Sequence, residues 1–226
     1  YIRLYPNNYL AGQLLGFSGI DGNGLEGLEK EFNDRLAGRK AQFVVQRDAS
    51  GRRLYLDAMG REMDVRGKDI HLTIDSHLQS VTENALADAV KKYNGKWGSA
   101  IVVEVASGDV LAMANFPLFN PNIFRTSSPN IWRNRAALDV HEPGSTFRPF
   151  LMAAALEHKV VTPEKLFDCE NGRWKINGKY IKDTHKEGWL PVHKILRYSS
   201  NIGCAKIGLE LGVQNYHKFI SDLGFG

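Results

Sequence analysis

Residues 99–116 read SAIVVEVASGDVLAMANF, two strands apolar at nearly every position around a turn at Ala106-Ser107-Gly108-Asp109. A strand with one face in water alternates polar and apolar residues, whereas these strands offer water neither face. The hairpin therefore predicts a layered domain with chain packed against both of its sides. The 226 residues are enough for this, since about 100–200 residues build one domain and its core. A hydrophobic share of 43% beside 24% charged residues is ordinary globular usage and argues against disorder.

The elements around the hairpin follow from local chemistry. Apolar positions from Gly24 to Leu36 recur at helical spacing, with Gly38 placed as a C-cap. The runs 41–47 and 52–58 read as a second hairpin, so residues 1–67 predict a small α+β unit. His71-Leu72-Thr73-Ile74 reads as a short strand, and Asp75 or Ser76 as the N-cap of a helix to about Tyr93. That helix would share one apolar face among Leu78, Val81, Ala85, Leu86 and Ala89. Pro117 to Trp132, rich in Pro, Asn and Ser, reads as a long surface loop. A helix opens near Ser145, because Pro149 is tolerated only in a first turn. Asn171 to Trp189 suggests a small hairpin or flap, and helices at 192–199, 201–211 and 213–223 complete the chain.

Several function classes are disfavoured by composition. The net charge of +4 is spread along the chain rather than gathered in a basic stripe, which argues against nucleic acid. No run approaches the 18 or so apolar residues of a transmembrane helix. Two cysteines are too few for a disulfide scaffold, and none of the seven histidines stands in an H-x-x-x-H pair. No metal or cofactor is implied. A Cys169–Cys204 bond is left open, and Cys204 is expected to be a buried apolar residue on its helix.

The sharpest chemistry lies in Glu142-Pro143-Gly144-Ser145-Thr146-Phe147-Arg148-Pro149-Phe150. A serine at a helix N-terminus sits near unpaired backbone N–H groups that stabilise an alkoxide and then an oxyanion. The residue three positions on lies one turn down the same face, the spacing of a nucleophile and its base. A second phrase, Ser199-Ser200-Asn201, follows 54 residues after the first serine and offers a hydroxyl to relay a proton and an amide to hold a carbonyl. Plainer readings stand beside these: capping serines at 145 and 199, a turn residue at Asn201, and a surface pair between Arg148 and Glu142.

These phrases resemble the S-x-x-K and S-x-N motifs of penicillin-binding proteins and serine β-lactamases. The resemblance runs along the chain. Tyr5-Pro6, Leu14-Leu15-Gly16-Phe17 and residues 24–29 (GLEGLE) are similar to the pedestal of class B penicillin-binding proteins, as are Leu72-Thr73-Ile74-Asp75 and Leu78-Gln79. Residues 108–113 (GDVLAM), Phe116-Pro117, Asn120-Pro121-Asn122, Asn134-Arg135-Ala136 and EPGSTF follow in that family's order, with EPGST closer to the division-type branch than to the elongation-type.

The resemblance implies an α+β chain, with the end of a non-catalytic pedestal at 1–67 and the N-terminal portion of a transpeptidase domain at 68–226. It implies a D,D-transpeptidase that cross-links peptidoglycan stem peptides ending in D-Ala-D-Ala and is a target of β-lactams. Ser145 would be the nucleophile, Arg148 would stand at the base position, and Ser199 and Asn201 would be second-motif partners. It implies a periplasmic place, a membrane anchor, and cell-wall assembly proteins as partners. Two departures qualify this. Arg148 stands where the family has lysine, and arginine effectively never gives up its proton. No Lys-Thr-Gly phrase follows Asn201, so the chain is expected to be part of a longer enzyme and not to complete the site alone. A catalytically silent scaffold or β-lactam-binding module is therefore a rival reading. A serine β-lactamase is a weaker one, because a compact hydrolase has no place for the pedestal-like segment.

Overall fold

The computed structural model describes residues 3–38, 46–47, 49–50, 53–54 and 67–225. It divides into two compact units, Tyr1–Val140 and His141–Gly226. The first holds α1 (Gly12–Leu15), β1 (Phe17–Ser18), β2 (Gly24–Glu26), α2 (Gly27–Glu31), α3 (Asn33–Leu36), β3 (Gln46–Arg47) and β4 (Arg53–Leu54). Then come α4 (Ser76–Lys92), β5 (Gly98–Val103), β6 (Val110–Phe116), a 3-10 segment (Pro121–Thr126), α5 (Pro129–Trp132) and α6 (Arg135–Leu138). The second unit opens with a 3-10 turn (Gly144–Phe147), followed by α7 (Arg148–Glu157), β7 (Leu166–Asp168), β8 (Arg173–Ile176) and β9 (Lys179–Lys182). It closes with β10 (Trp189–Pro191), α8 (Val192–Tyr198), α9 (Asn201–Leu211) and α10 (Val213–Asp222).

The apolar hairpin forms as β5 and β6, antiparallel with Ala100 opposite Ala114 and Ile101 opposite Met113. Cover on both faces is found for β6 only. Ala112 and Ala114 are fully buried, and the Asn115 side chain is closed off by Ala136, whose N–H donates to Asn115 Oδ1 at 2.9 Å. On β5, Ile101 and Val103 remain about half exposed at 47% and 49%.

Helix α4 starts as expected, with Asp75 Oδ1 accepting the Leu78 N–H at 2.8 Å. Its buried stripe is a correction to the periodicity. Gln79, Glu83, Ala87 and Val90 face inward, whereas Leu78 and Val81 are exposed. The reason is backbone satisfaction. Gln79 Oε1 accepts the Met113 N–H at 2.7 Å and Gln79 Nε2 donates to the Met113 carbonyl at 3.0 Å, joining helix to strand. Glu83 Oε1 accepts both from Gln79 Nε2 (2.7 Å) and from the Ala11 N–H (2.8 Å). Buried polar groups are tolerated when bonded in this way, and hydropathy patterns cannot foresee it.

Other expectations change too. The Gly24–Leu36 helix is β2 followed by two short helices broken at Phe32 (φ −104°, ψ 22°), although Gly38 does take a left-handed φ of 67°. Residues 71–74 are not a strand; Thr73 Oγ1 donates to the Val110 carbonyl and Asp75 N–H to that of Leu111, so single bonds replace a ladder. Of the second hairpin, Gln46–Arg47 and Arg53–Leu54 pair antiparallel, and the remainder of the runs 41–47 and 52–58 lies outside the described residues. Residues 117–132 are anchored rather than a surface loop. Phe119 is 1% exposed, and Phe17 stacks on Phe124 (4.3 Å) and lies 4.8 Å from Trp132. Gly12 permits this approach, since a Cβ there would meet the Phe119 carbonyl oxygen at 2.0 Å.

In the second unit, α7, α8 and α9 pack with the β7–β10 pair around Met152, Phe167, Leu190, Ile195 and Ile207. At Gly203 a Cβ would meet three Ile195 side-chain carbons at 2.7 Å, so glycine sets the approach of α9 to α8. The expected hairpin is present as β8–β9, and the three closing helices lie where local chemistry placed them.

Candidate active site

Ser145 lies in the 3-10 turn that leads into α7, one residue after Gly144, whose φ is 56°. The Arg148 N–H donates to the Ser145 carbonyl, and Thr146 Oγ1 donates to the Pro143 carbonyl at 2.6 Å, so the turn is fixed through its backbone. Arg148 is the first residue of α7, and Pro149, second in the helix, sits where no helical N–H partner is needed. The Ser145 side chain is exposed, and among the described residues its hydroxyl has no hydrogen-bond partner.

The second phrase joins α8 to α9. Ser199 terminates α8 in the left-handed conformation (φ 61°, ψ 39°), so it is not the N-cap. Ser200 is, its Oγ accepting the Gly203 N–H at 2.9 Å. Asn201 opens α9 and links three segments. Arg148 Nη2 donates to Asn201 Oδ1 at 2.5 Å, and Asn201 Nδ2 donates to the Lys182 carbonyl at 2.8 Å. The cation and the carbonyl together settle which end of the amide points which way. The structure thus brings Arg148 and Asn201 together, although 53 residues separate them. Arg148 takes this partner rather than Glu142. Its Nη1 is buried without a hydrogen-bond partner among the described residues.

Asp183, which the sequence did not single out, organises this loop. Its Oδ1 accepts the N–H groups of Asn201 (2.5 Å) and Ile202 (3.1 Å), and its Oδ2 accepts from Ser200 Oγ at 2.5 Å. A carboxylate on the first N–H groups of a helix supplies the partners those groups lack and complements the helix dipole. Asp183 comes from the end of the β8–β9 hairpin, 18 residues before Asn201, and no local pattern pairs the two.

Beneath the loop lie Cys169 and Cys204, both buried and both free thiols. Burial pushes the Cys204 thiol up to about 11, opposed by the Arg148 charge nearby. Burial also raises Cys169, whose sulfur lies 3.4 Å from Ser200 Oγ. Neither is poised as a nucleophile, since the reactive form is the thiolate. Among the described residues no group of three or more His, Cys, Asp or Glu is placed to hold a metal ion.

The arrangement sets an exposed hydroxyl ahead of a helix N-terminus, with a permanent cation one turn on that is tied to a carboxamide. Such a site can hold and stabilise developing negative charge at Oγ. Arg148 cannot accept the hydroxyl proton.

Residues 98–226 match the model of the penicillin-binding protein transpeptidase domain. The chain is 37% identical over 226 residues to the probable peptidoglycan D,D-transpeptidase PbpC of Pseudomonas aeruginosa, covering 100% of this chain and 40% of that protein. It is 34% identical over 221 residues to the peptidoglycan D,D-transpeptidase FtsI of Escherichia coli, covering 96% and 37%. The chain thus spans about two fifths of the length of these relatives. Among solved structures, a peptidoglycan synthetase from Bifidobacterium adolescentis has a TM-score of 0.81 at 30% identity, covering 99% of this chain and 40% of the other. Penicillin-binding protein 3 of Mycobacterium tuberculosis, solved with aztreonam, also gives 0.81, at 26% identity and 100% and 47% coverage. The match covers more than half of the chain, including the Ser145 and Ser199–Asn201 phrases: this chain belongs to the penicillin-binding protein transpeptidase family.

Proposed function

We propose that the protein acts as a peptidoglycan D,D-transpeptidase through an acyl-enzyme on Ser145, and that β-lactams acylate the same residue. The observation that carries this reading is the Arg148–Asn201 hydrogen bond, which ties the phrase holding Ser145 to the second phrase. In the first step Ser145 Oγ bonds to the penultimate D-alanyl carbonyl carbon, the amide C–N bond breaks, and the terminal D-alanine leaves with a proton on its nitrogen. In the second, an amine of a neighbouring stem peptide bonds to that carbon and the ester C–O bond breaks, returning a proton to Oγ. Backbone N–H groups before α7 and the Arg148 charge lower the energy of the alkoxide and the tetrahedral oxyanion. Ser199 and Asn201 stand as proton relay and carbonyl holder, and Asp183 positions Asn201.

The same reading assigns residues 1–67 to the end of a pedestal and 68–226 to the transpeptidase portion. It places the protein at the periplasmic face of a membrane, anchored outside this segment, among cell-wall assembly proteins of the division type. Among the described residues, no helix is long and apolar enough to cross a membrane. Arg148 favours a second reading, a catalytically silent scaffold or β-lactam-binding module, because the base position holds a group that stays protonated.

Incubation with a fluorescent penicillin, followed by peptide mass spectrometry, tests both. A stable adduct on Ser145 that is absent from Ser145→Ala supports the transpeptidase reading. An adduct elsewhere, or rapid release of hydrolysed drug, overturns it. No adduct at any concentration leaves the scaffold.

A further inference from the structure

We propose that one face of the β8–β9 hairpin is a docking strip for the carboxylate-bearing peptide of peptidoglycan, lying beside the candidate site; the choice of ligand rests on the transpeptidase reading. The register sets Arg173 opposite Lys182 and Lys175 opposite Tyr180. Directly opposed residues share a face, so three cations and one ring project from the same side. All four are exposed. The other face, with Trp174, Ile176 and Ile181, is partly buried, and Lys206 Nζ lies 5.0 Å from the centre of the Trp174 ring.

Like charges directly opposed across a hairpin destabilise it, so Arg173 opposite Lys182 costs the isolated hairpin free energy. Instead of splaying, two of the cations converge: Arg173 lies 4.1 Å and Lys175 5.9 Å from the Tyr180 ring centre. The two carboxylates that flank the hairpin in sequence, Glu170 and Asp183, are engaged elsewhere. Asp183 is occupied by Ser200, Asn201 and Ile202, and Glu170 pairs with Lys206 at 2.7 Å. Among the described residues no ion pair engages Arg173, Lys175 or Lys182.

An anion laid on this face removes the repulsion. Residues two apart on a strand stand about 7 Å apart, so Arg173 and Lys175 can each meet a separate carboxylate of one bound peptide. The strip is continuous with the site through Lys182, whose carbonyl accepts from Asn201 Nδ2. A chain lying along it thereby reaches the Arg148–Asn201 pair.

The test is co-sedimentation with purified peptidoglycan sacculi whose stem carboxyls are free or amidated, in a Ser145→Ala background so that only non-covalent binding is read. Binding to free-carboxyl sacculi is expected to fall steeply with salt. Arg173→Glu/Lys175→Glu should bind roughly tenfold or more weakly at low ionic strength, with little salt dependence left. Arg173→Gln/Lys175→Gln should be intermediate, which separates charge from misfolding. Equal binding by parent and double variants, or equal loss on free and amidated sacculi, overturns the strip. So does a loss confined to phosphatidylglycerol vesicles, which would make the ligand a membrane. Sacculus binding that behaves as expected, together with penicillin labelling away from Ser145, would retain the strip and remove the transpeptidase reading.

Discussion

Arginine at position 148 combines two effects of opposite sign. On the transpeptidase reading its guanidinium would favour an anionic Oγ three residues back, yet it cannot take the proton that creates the anion. Positioned general-base catalysis contributes typically about 10²–10⁴ in rate, more than a charge beside a partly exposed group supplies. The missing proton acceptor therefore outweighs the charge. Arg148→Lys is expected to raise the second-order rate of Ser145 acylation by about 10² or more, read by stopped-time labelling with a fluorescent penicillin. Equal and fast labelling of both forms would show that the proton leaves by a route independent of residue 148. Lysine also lacks the planar fork that reaches Asn201 Oδ1, so the amide should become more mobile in the variant.

At the scale of elements, Asp183 makes the β8–β9 hairpin and the α8–α9 joint behave as one piece. Asp183→Ala leaves the Asn201 and Ile202 N–H groups and the Ser200 hydroxyl without their acceptor. The expected loss is about 1–2 kcal/mol, the usual cost of removing a helix cap. Asp183→Asn keeps an oxygen for the two N–H groups but offers Ser200 an amide, so it should recover most of the stability. Urea denaturation of the three forms measures this, and an Asp183→Ala midpoint equal to the parent's would refute it. A purely structural role would leave acylation by penicillin unchanged in the folded fraction, whereas positioning of Asn201 predicts a slower rate for Asp183→Ala than for Asp183→Asn. Legibility in the sequence follows a simple division at this scale. Asp75, Pro149 and the 106–109 turn act on neighbours within four residues, and the elements they predict are present. The buried stripe of α4 was not legible, because Gln79 and Glu83 are inward only by virtue of the Met113 and Ala11 backbone groups they satisfy.

For the molecule as a whole, alkaline pH probes the two units separately. In the second, the Cys204 thiol is raised from 9.0 to about 11. In the first, burial, with the Glu29 charge adding to it, raises Tyr5 from 10.0 to about 12. In both the folded state holds its proton more tightly than the unfolded state. Each therefore contributes stability that is complete below the unfolded value and is lost as pH rises towards the folded one. Stability should begin to fall above about pH 9, with Cys204 accounting for on the order of 2 kcal/mol by pH 11. Comparing thermal unfolding of the parent and Cys204→Ala from pH 8 to 11 isolates that share. Parallel curves would refute it. At pH 8 neither thiol should react with a disulfide reagent until the chain unfolds, since both are buried.

By itself the sequence determined the order of the two serine-bearing phrases, the apolar hairpin, the caps, and the family they resemble. Each of these rests on residues close along the chain, where sterics, turn chemistry and capping act without knowledge of the fold. The tertiary structure alone decided that Arg148 meets Asn201, that Asp183 holds the α9 N-terminus, and that β5 keeps Ile101 and Val103 half exposed while β6 is covered on both sides. These depend on backbone groups and charges brought together across tens of residues. The pairing is chosen by which buried polar atoms must be satisfied once the helices have packed, and hydropathy carries no record of that choice.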